Sequence, residues 1–95
     1  MQTLTHNEIQ ALHAILEEAI VQSKDDDGDP VFHEVNFDTV KPFDDKLTQS
    51  NVYDGLAKRD YIQCGVMEDV LGKVEEFVCI TPAGLEALKT ARGVH

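Results

Sequence analysis

The chain has 95 residues, enough for one domain with a single modest core. Its 18 acidic and 8 basic side chains give a formal charge of −10, which repels nucleic acid and anionic membranes at long range. No apolar run approaches the roughly 20 residues that cross a bilayer, and "MQTLTHNEIQ" lacks the basic-then-apolar order of a signal peptide. The expected setting is therefore the cytoplasm, off the membrane, where Cys64 and Cys79 stay reduced.

The first element is a helix predicted over residues 5–22. Thr5 and Glu8 have capping-box spacing, and Leu4 and Ile9 occupy the positions of a hydrophobic staple. Ile9, Leu12, Leu16, Ala19 and Ile20 recur at helical spacing, with Ile15 at the margin. The run from Asp25 to Pro30 ends it, because Asp and Gly are poor interior residues and Pro30 disfavours a helical Asp29. "VFHEVNF" follows as a short strand or irregular chain with Phe32 and Val35 as apolar anchors. A short helical turn near 38–47 is compatible with what comes next, but Pro42 prevents a long one.

"TQSNVYDGLAKRDYI" predicts a second helix, capped by Thr48 and running over about 48–60, with Val52 and Leu56 inward. Residues 61–81 alternate as a β-hairpin. A loop centred on Leu71 and Gly72, in the polar, turn-like tip "EDVLGKVEE", would pair Val66 with Phe77, Cys64 with Cys79 and Ile62 with Thr81, all on one face. The last helix is predicted over 82–92, with Thr81 as cap, Pro82 at the first position, Leu85 and Leu88 inward, and Lys89 and Arg92 near the C-terminus.

From Thr48 the chain resembles the winged helix-turn-helix superfamily. Its recognition helices commonly run into a Lys/Arg-Gly-Leu/Tyr-Ile turn, and "CITPAGLEALK" is similar to the Leu-Thr-Pro-x-Gly segment that follows the wing in many bacterial regulators. The resemblance spans about residues 47–90. Asp60 stands at the family's glycine and tolerates the left-handed conformation that the turn needs. The segment "NFDTVKPFDDKL" shows no regular second helix. The implied fold is α+β: one winged-helix domain over 1–95, mostly helical, with one antiparallel hairpin as its wing.

Two functions follow from that resemblance. In DNA recognition the helix enters the major groove: Gln49, Ser50, Asn51 and Tyr53 would meet base edges, while Lys46, Lys58, Arg59 and Lys73 would reach phosphates. Residues 46–73 carry four acids against these four bases, so little phosphate affinity results. The alternative is a regulatory module that binds a protein partner through the acidic wing residues Glu68, Asp69, Glu75 and Glu76. Electrostatics prefers the protein contact. Small regulators of this kind also imply a homodimer joined through the first and last helices.

"SKDDDGDPVFHE" has partial EF-hand spacing. Asp25, Asp27, Asp29 and Glu34 offer hard oxygen ligands. Ser23 stands at the first ligand position and no helix follows, so a solvated acidic turn is the preferred reading and no resident metal or cofactor is expected. The four histidines form no zinc-like cluster. No glycine-rich phosphate loop or nucleophile motif points to an enzyme. Both cysteines are expected as small buried core residues.

Overall fold

A computed structural model of the chain describes residues 4–24, 29–40 and 43–93. The described residues form an α+β structure in the order α1 (His6–Ser23), β1 (Val35–Asn36), a 3₁₀ turn (Phe37–Thr39), α2 (Lys46–Lys58), β2 (Ile62–Glu68), β3 (Val74–Ile80) and α3 (Pro82–Gly93). The strands make an antiparallel sheet in the order β1-β3-β2. The expected hairpin thus gains a third, very short strand from "VFHEVNF".

Helix α1 starts where the capping box places it. The Thr5 side chain accepts from the Glu8 N–H, and the Glu8 carboxylate accepts from the Thr5 N–H at 2.8 Å. Its buried stripe is Ala11, Leu12, Ile15 and Ala19, so Ile15 lies at the centre and Ile20 is exposed. The inward face is rotated by part of a turn from the expected one. Leu4, at the staple position, is buried, and Ile9 packs against the core.

The start of α2 differs from the expectation. Asp45, not Thr48, is the N-cap. Its Oδ1 accepts from the Leu47 N–H at 3.3 Å, and the Thr48 hydroxyl donates to its Oδ2 at 2.7 Å. These bonds, the Thr48 hydroxyl first, hold the Asp45 carboxyl below its ordinary pKa. Two capping residues three positions apart compete, and the earlier one wins because the later hydroxyl bonds to it.

The hairpin register is one residue from the expected one. Ile62 faces Ile80, Cys64 faces Val78 and Val66 faces Glu76. A five-residue loop over 69–73 sets this register. Asp69 Oδ1 accepts from the Leu71 and Lys73 N–H groups, the Asp69 N–H donates to Lys73, and Gly72 turns the chain at φ +82°. A one-residue slip exchanges the faces of a strand. Val78 and Ile80 therefore enter the core beside Ile62 and Val35, in place of Phe77, which is only partly buried. Cys64 is exposed and Cys79 buried, so the expected cross-strand cysteine pair is not formed.

Phe32 anchors its segment through the backbone and not the ring. It is half-exposed at φ +63°, and its N–H donates to the Ile80 carbonyl at 2.9 Å. Val35 is fully buried, as its sequence position implies.

The chain leaves α2 through Asp60, which takes the left-handed conformation at φ +62°. Thr81 then ties this turn to α3. Its hydroxyl donates to the Asp60 carbonyl and accepts from the Gly84 N–H at 3.0 Å, while its own N–H donates to the Tyr61 carbonyl at 3.1 Å. Gly84 presses directly on that same carbonyl. A Cβ on it would overlap the Tyr61 oxygen and lie 2.9 Å from the carbonyl carbon, both backbone atoms. Gly84→Ala should therefore lower stability by about 3 kcal/mol or more, since neither partner can move aside. Urea unfolding checks this, and a loss below about 1 kcal/mol would show that the contact is not tight.

Candidate interaction surface

Helix α2 and the β2–β3 hairpin carry every residue expected to touch DNA or a protein partner. The earlier start of α2 changes which of them face solvent. Lys46 and Lys58 lie at the two ends of the helix, both exposed, and Ser50 and Asn51 are exposed between them. Gln49 and Tyr53 are not on that face. They stand one turn apart on the buried side of the helix, next to Leu56. The Tyr53 hydroxyl donates to the Val40 carbonyl, and its ring meets Phe37 edge-on at a centroid distance of 4.9 Å. Burial pushes the Tyr53 phenol well above its ordinary pKa, and proximity to Cys64 adds to this. It is a core residue with a satisfied polar tip.

Arg59 is also engaged within the fold. Its guanidinium pairs with Glu8 of α1, with the side chains only 23% and 13% exposed. Its Nε donates to the Gly55 carbonyl at 3.2 Å, and its Cζ lies 5.1 Å from the centre of the Tyr61 ring. A Cβ at Gly55 would sit 3.9 Å from both members of the ion pair, so this glycine lines the contact without being required by it. The expected phosphate ligand is thus a tie between α1 and α2. Its sequence signal was half present: Glu8 is visible as a capping residue, but nothing in the chain order connects it with a residue some fifty positions later.

The hairpin places its candidates differently. Glu68 ends β2, Asp69 opens the loop, Lys73 closes it, and Glu75 and Glu76 follow on β3. Asp69 is occupied by loop hydrogen bonds. Glu75 is partly buried, while Glu68, Lys73 and Glu76 are exposed. The charge of this segment does not reveal its apolar content. Val66, Met67, Val70, Leu71 and Val74 are all exposed around the same tip, with Val70 and Leu71 almost wholly so.

No protein-family model, curated protein or solved structure matches the chain.

Of the four acidic residues singled out for calcium, Asp25 and Asp27 lie outside the described residues, as does the Arg92 side chain. Asp29 Oδ1 accepts from the Val31 N–H at 2.9 Å, a local turn bond, and Glu34 is exposed. Among the described residues no three His, Cys, Asp or Glu side chains converge as metal ligands, and no helix is long and apolar enough to cross a membrane.

Two measurements follow. A double-mutant cycle with Glu8→Gln, which retains a capping acceptor, and Arg59→Met should give a coupling of about 1–2 kcal/mol in urea unfolding. A coupling near zero would mean that the two side chains do not meet. For the thiols, partial burial pushes both pKa values up, with Cys79 adding to the effect at Cys64. Alkylation by iodoacetamide should reach Cys64 before Cys79. Its rate should keep rising past about pH 9.5, where an ordinary thiol of pKa about 8.5 is roughly nine-tenths ionised and nearing its plateau.

Proposed function

We propose that the chain is a small acidic winged-helix module, non-enzymatic, that acts in regulation through contacts with a protein. The order helix, short strand, helix, hairpin, helix supports the winged-helix reading, with α2 in the recognition position and the hairpin as the wing. The 3₁₀ turn at Phe37–Thr39 occupies the stretch where the superfamily has its second helix. A cytoplasmic setting goes with this reading, since it keeps the two free thiols reduced.

One observation carries the proposal: the wing tip exposes five large apolar side chains set among carboxylates. An apolar cluster of this kind, rimmed by polar residues, is characteristic of protein contact surfaces. Phosphate backbones offer it nothing to bury. The complementary partner presents an apolar depression edged by Lys or Arg. Two copies of the chain meeting through their wings would oppose like charges, so a homodimer would use other surfaces.

DNA recognition is the second reading. It retains Lys46, Ser50, Asn51 and Lys58 on α2 and Lys73 on the wing, but it loses Gln49 and Tyr53 to the core and Arg59 to Glu8. Asp54, exposed on the same helix, further weakens it.

The test uses wing variants that leave the loop geometry and the neighbouring groove intact. The pair Val70→Ser with Leu71→Ser removes the apolar tip, and the pair Glu68→Gln with Glu75→Gln removes charge. A partner captured from the source cell and then purified should be basic, and its affinity should fall about tenfold or more with each pair. Generic duplex DNA at about 50 mM salt should show no mobility shift. A shift abolished by Lys46→Ala with Lys58→Ala would replace the protein reading with the DNA one.

A further inference from the structure

A groove of about 570 Å³ runs between the 3₁₀ segment, α2 and the hairpin. Its size falls within the range of small-molecule sites, which run from about 300 to 1,000 Å³. The aromatic rings of Phe37, Phe43 and Tyr53 and the methyl of Ala57 supply apolar wall, and Cys64 and Glu76 close it from the hairpin side. Such a groove is common on small domains. Its one polar lining residue from the buried side of α2 makes this one specific.

That residue is Gln49. It is 5% exposed, and among the described residues neither its side-chain nitrogen nor its oxygen has a hydrogen-bond partner. A buried amide group left unpaired costs about 1–3 kcal/mol, so such groups are rare without a reason. The amide offers a donor and an acceptor side by side. The matching group offers an acceptor beside a donor, which is the edge of a carboxamide or lactam. The charges lining the groove select further. Asp44, Asp54 and Glu76 stand against the single ammonium of Lys46, so the groove favours a cation and disfavours an anion.

We propose that this groove binds a small organic cation with an aromatic or aliphatic body and a carboxamide-type edge, the edge pairing with Gln49 and the cationic end lying among Asp54, Glu76 and Asp44. The site is independent of the wing tip: the ligand needs neither the exposed apolar cluster nor a protein partner. Binding requires the Gln49 amide, buried in the unliganded form, to be uncovered toward the groove that it lines.

L-phenylalaninamide carries all three features and is the probe. Titrated into the full chain and followed by amide NMR, it should give saturable shifts at residues 37, 43, 49, 53, 57, 64 and 76, including the Gln49 side-chain amide. A half-saturation at or below about 10 mM is expected for a fragment of this size. Two relatives separate the contributions. Phenylalanine, with a carboxylate in place of the carboxamide, and 3-phenylpropanamide, without the ammonium, should each bind at least about threefold more weakly. Asp54→Asn with Glu76→Gln should weaken L-phenylalaninamide and leave 3-phenylpropanamide unchanged. Gln49→Leu should abolish the shifts while raising the unfolding temperature, because it replaces an unpaired buried amide with a hydrocarbon of similar size. The absence of shifts at about 10 mM overturns the proposal. So does undiminished binding to Gln49→Leu, or a lower unfolding temperature for that variant, which would mean that the amide already has a partner in solution. None of these outcomes depends on the wing variants, so the two proposals fail separately.

Discussion

The contact between α3 and the turn that ends α2 orders the rest of the fold. At this junction three separate requirements meet within a few residues. Asp60 must adopt a left-handed conformation for the chain to leave α2 and enter β2. Thr81 must offer both a hydroxyl and an N–H, since one holds the Asp60 carbonyl and the other the Tyr61 carbonyl. Position 84 must lack a Cβ, because the first turn of α3 lies flat on the Tyr61 peptide. The strands leave and return at this point, so the angle fixed here sets where the hairpin projects. Ile62 and Ile80, the first and last pair of the hairpin, are buried directly beside the junction, and the apolar core grows outward from them to Leu12, Ile15, Leu56 and Leu88.

The hairpin alternates along its length between this anchored end and a free one. Near the junction Ile62 of β2 and Val78, Cys79 and Ile80 of β3 are buried, and toward the loop nearly everything is exposed, apolar residues included. A two-stranded ribbon gains little stability from its own tip, so apolar side chains there add nothing to the fold. The same reasoning treats the basic residues in the opposite way. Arg59 has the geometry of a phosphate ligand when read on α2 alone, yet it is drawn into a shielded pair with Glu8 that joins two helices. A guanidinium held this way has less to offer a solvent-side anion.

Much of this was legible in the chain order, and what was not has definite causes. Local signals held: the Thr5 and Glu8 capping box, Pro82 opening α3, and Asp60 at the turn all depend on neighbours within four residues. Signals that depended on counting failed by small offsets with large consequences. With Thr48 as the cap, Gln49 falls in an exposed first turn; with Asp45 as the cap, it stands in the buried stripe. Alternation about a loop centred on Leu71 and Gly72 misses the five-residue loop that Asp69 caps, and the one-residue slip brings Val78 and Ile80 to the core face in place of Phe77. The stronger apolar character of Val78 and Ile80 was a usable signal for the correct face. The Glu8–Arg59 pair and the groove at Gln49 were not legible at all, because each joins elements that local periodicity cannot bring together.

The corrected register also separates two surfaces that the sequence had merged. Four acids were grouped as one wing patch, but strand alternation places Glu75 and Glu76 on opposite faces of β3. Glu76 lies on the same face as Val78 and Ile80, one step beyond the core, opposite Val66, and it lines the groove against α2. Glu68 and Asp69 belong to the tip. The acidity of the hairpin is therefore divided between two places that a net charge cannot distinguish: Glu68 and Asp69 lie beside the exposed apolar cluster, and Glu76 lines the groove that Gln49 also lines. Had the register followed the sequence expectation, Glu75 would have faced the groove and Glu76 the solvent, and a different carboxylate would have lined it.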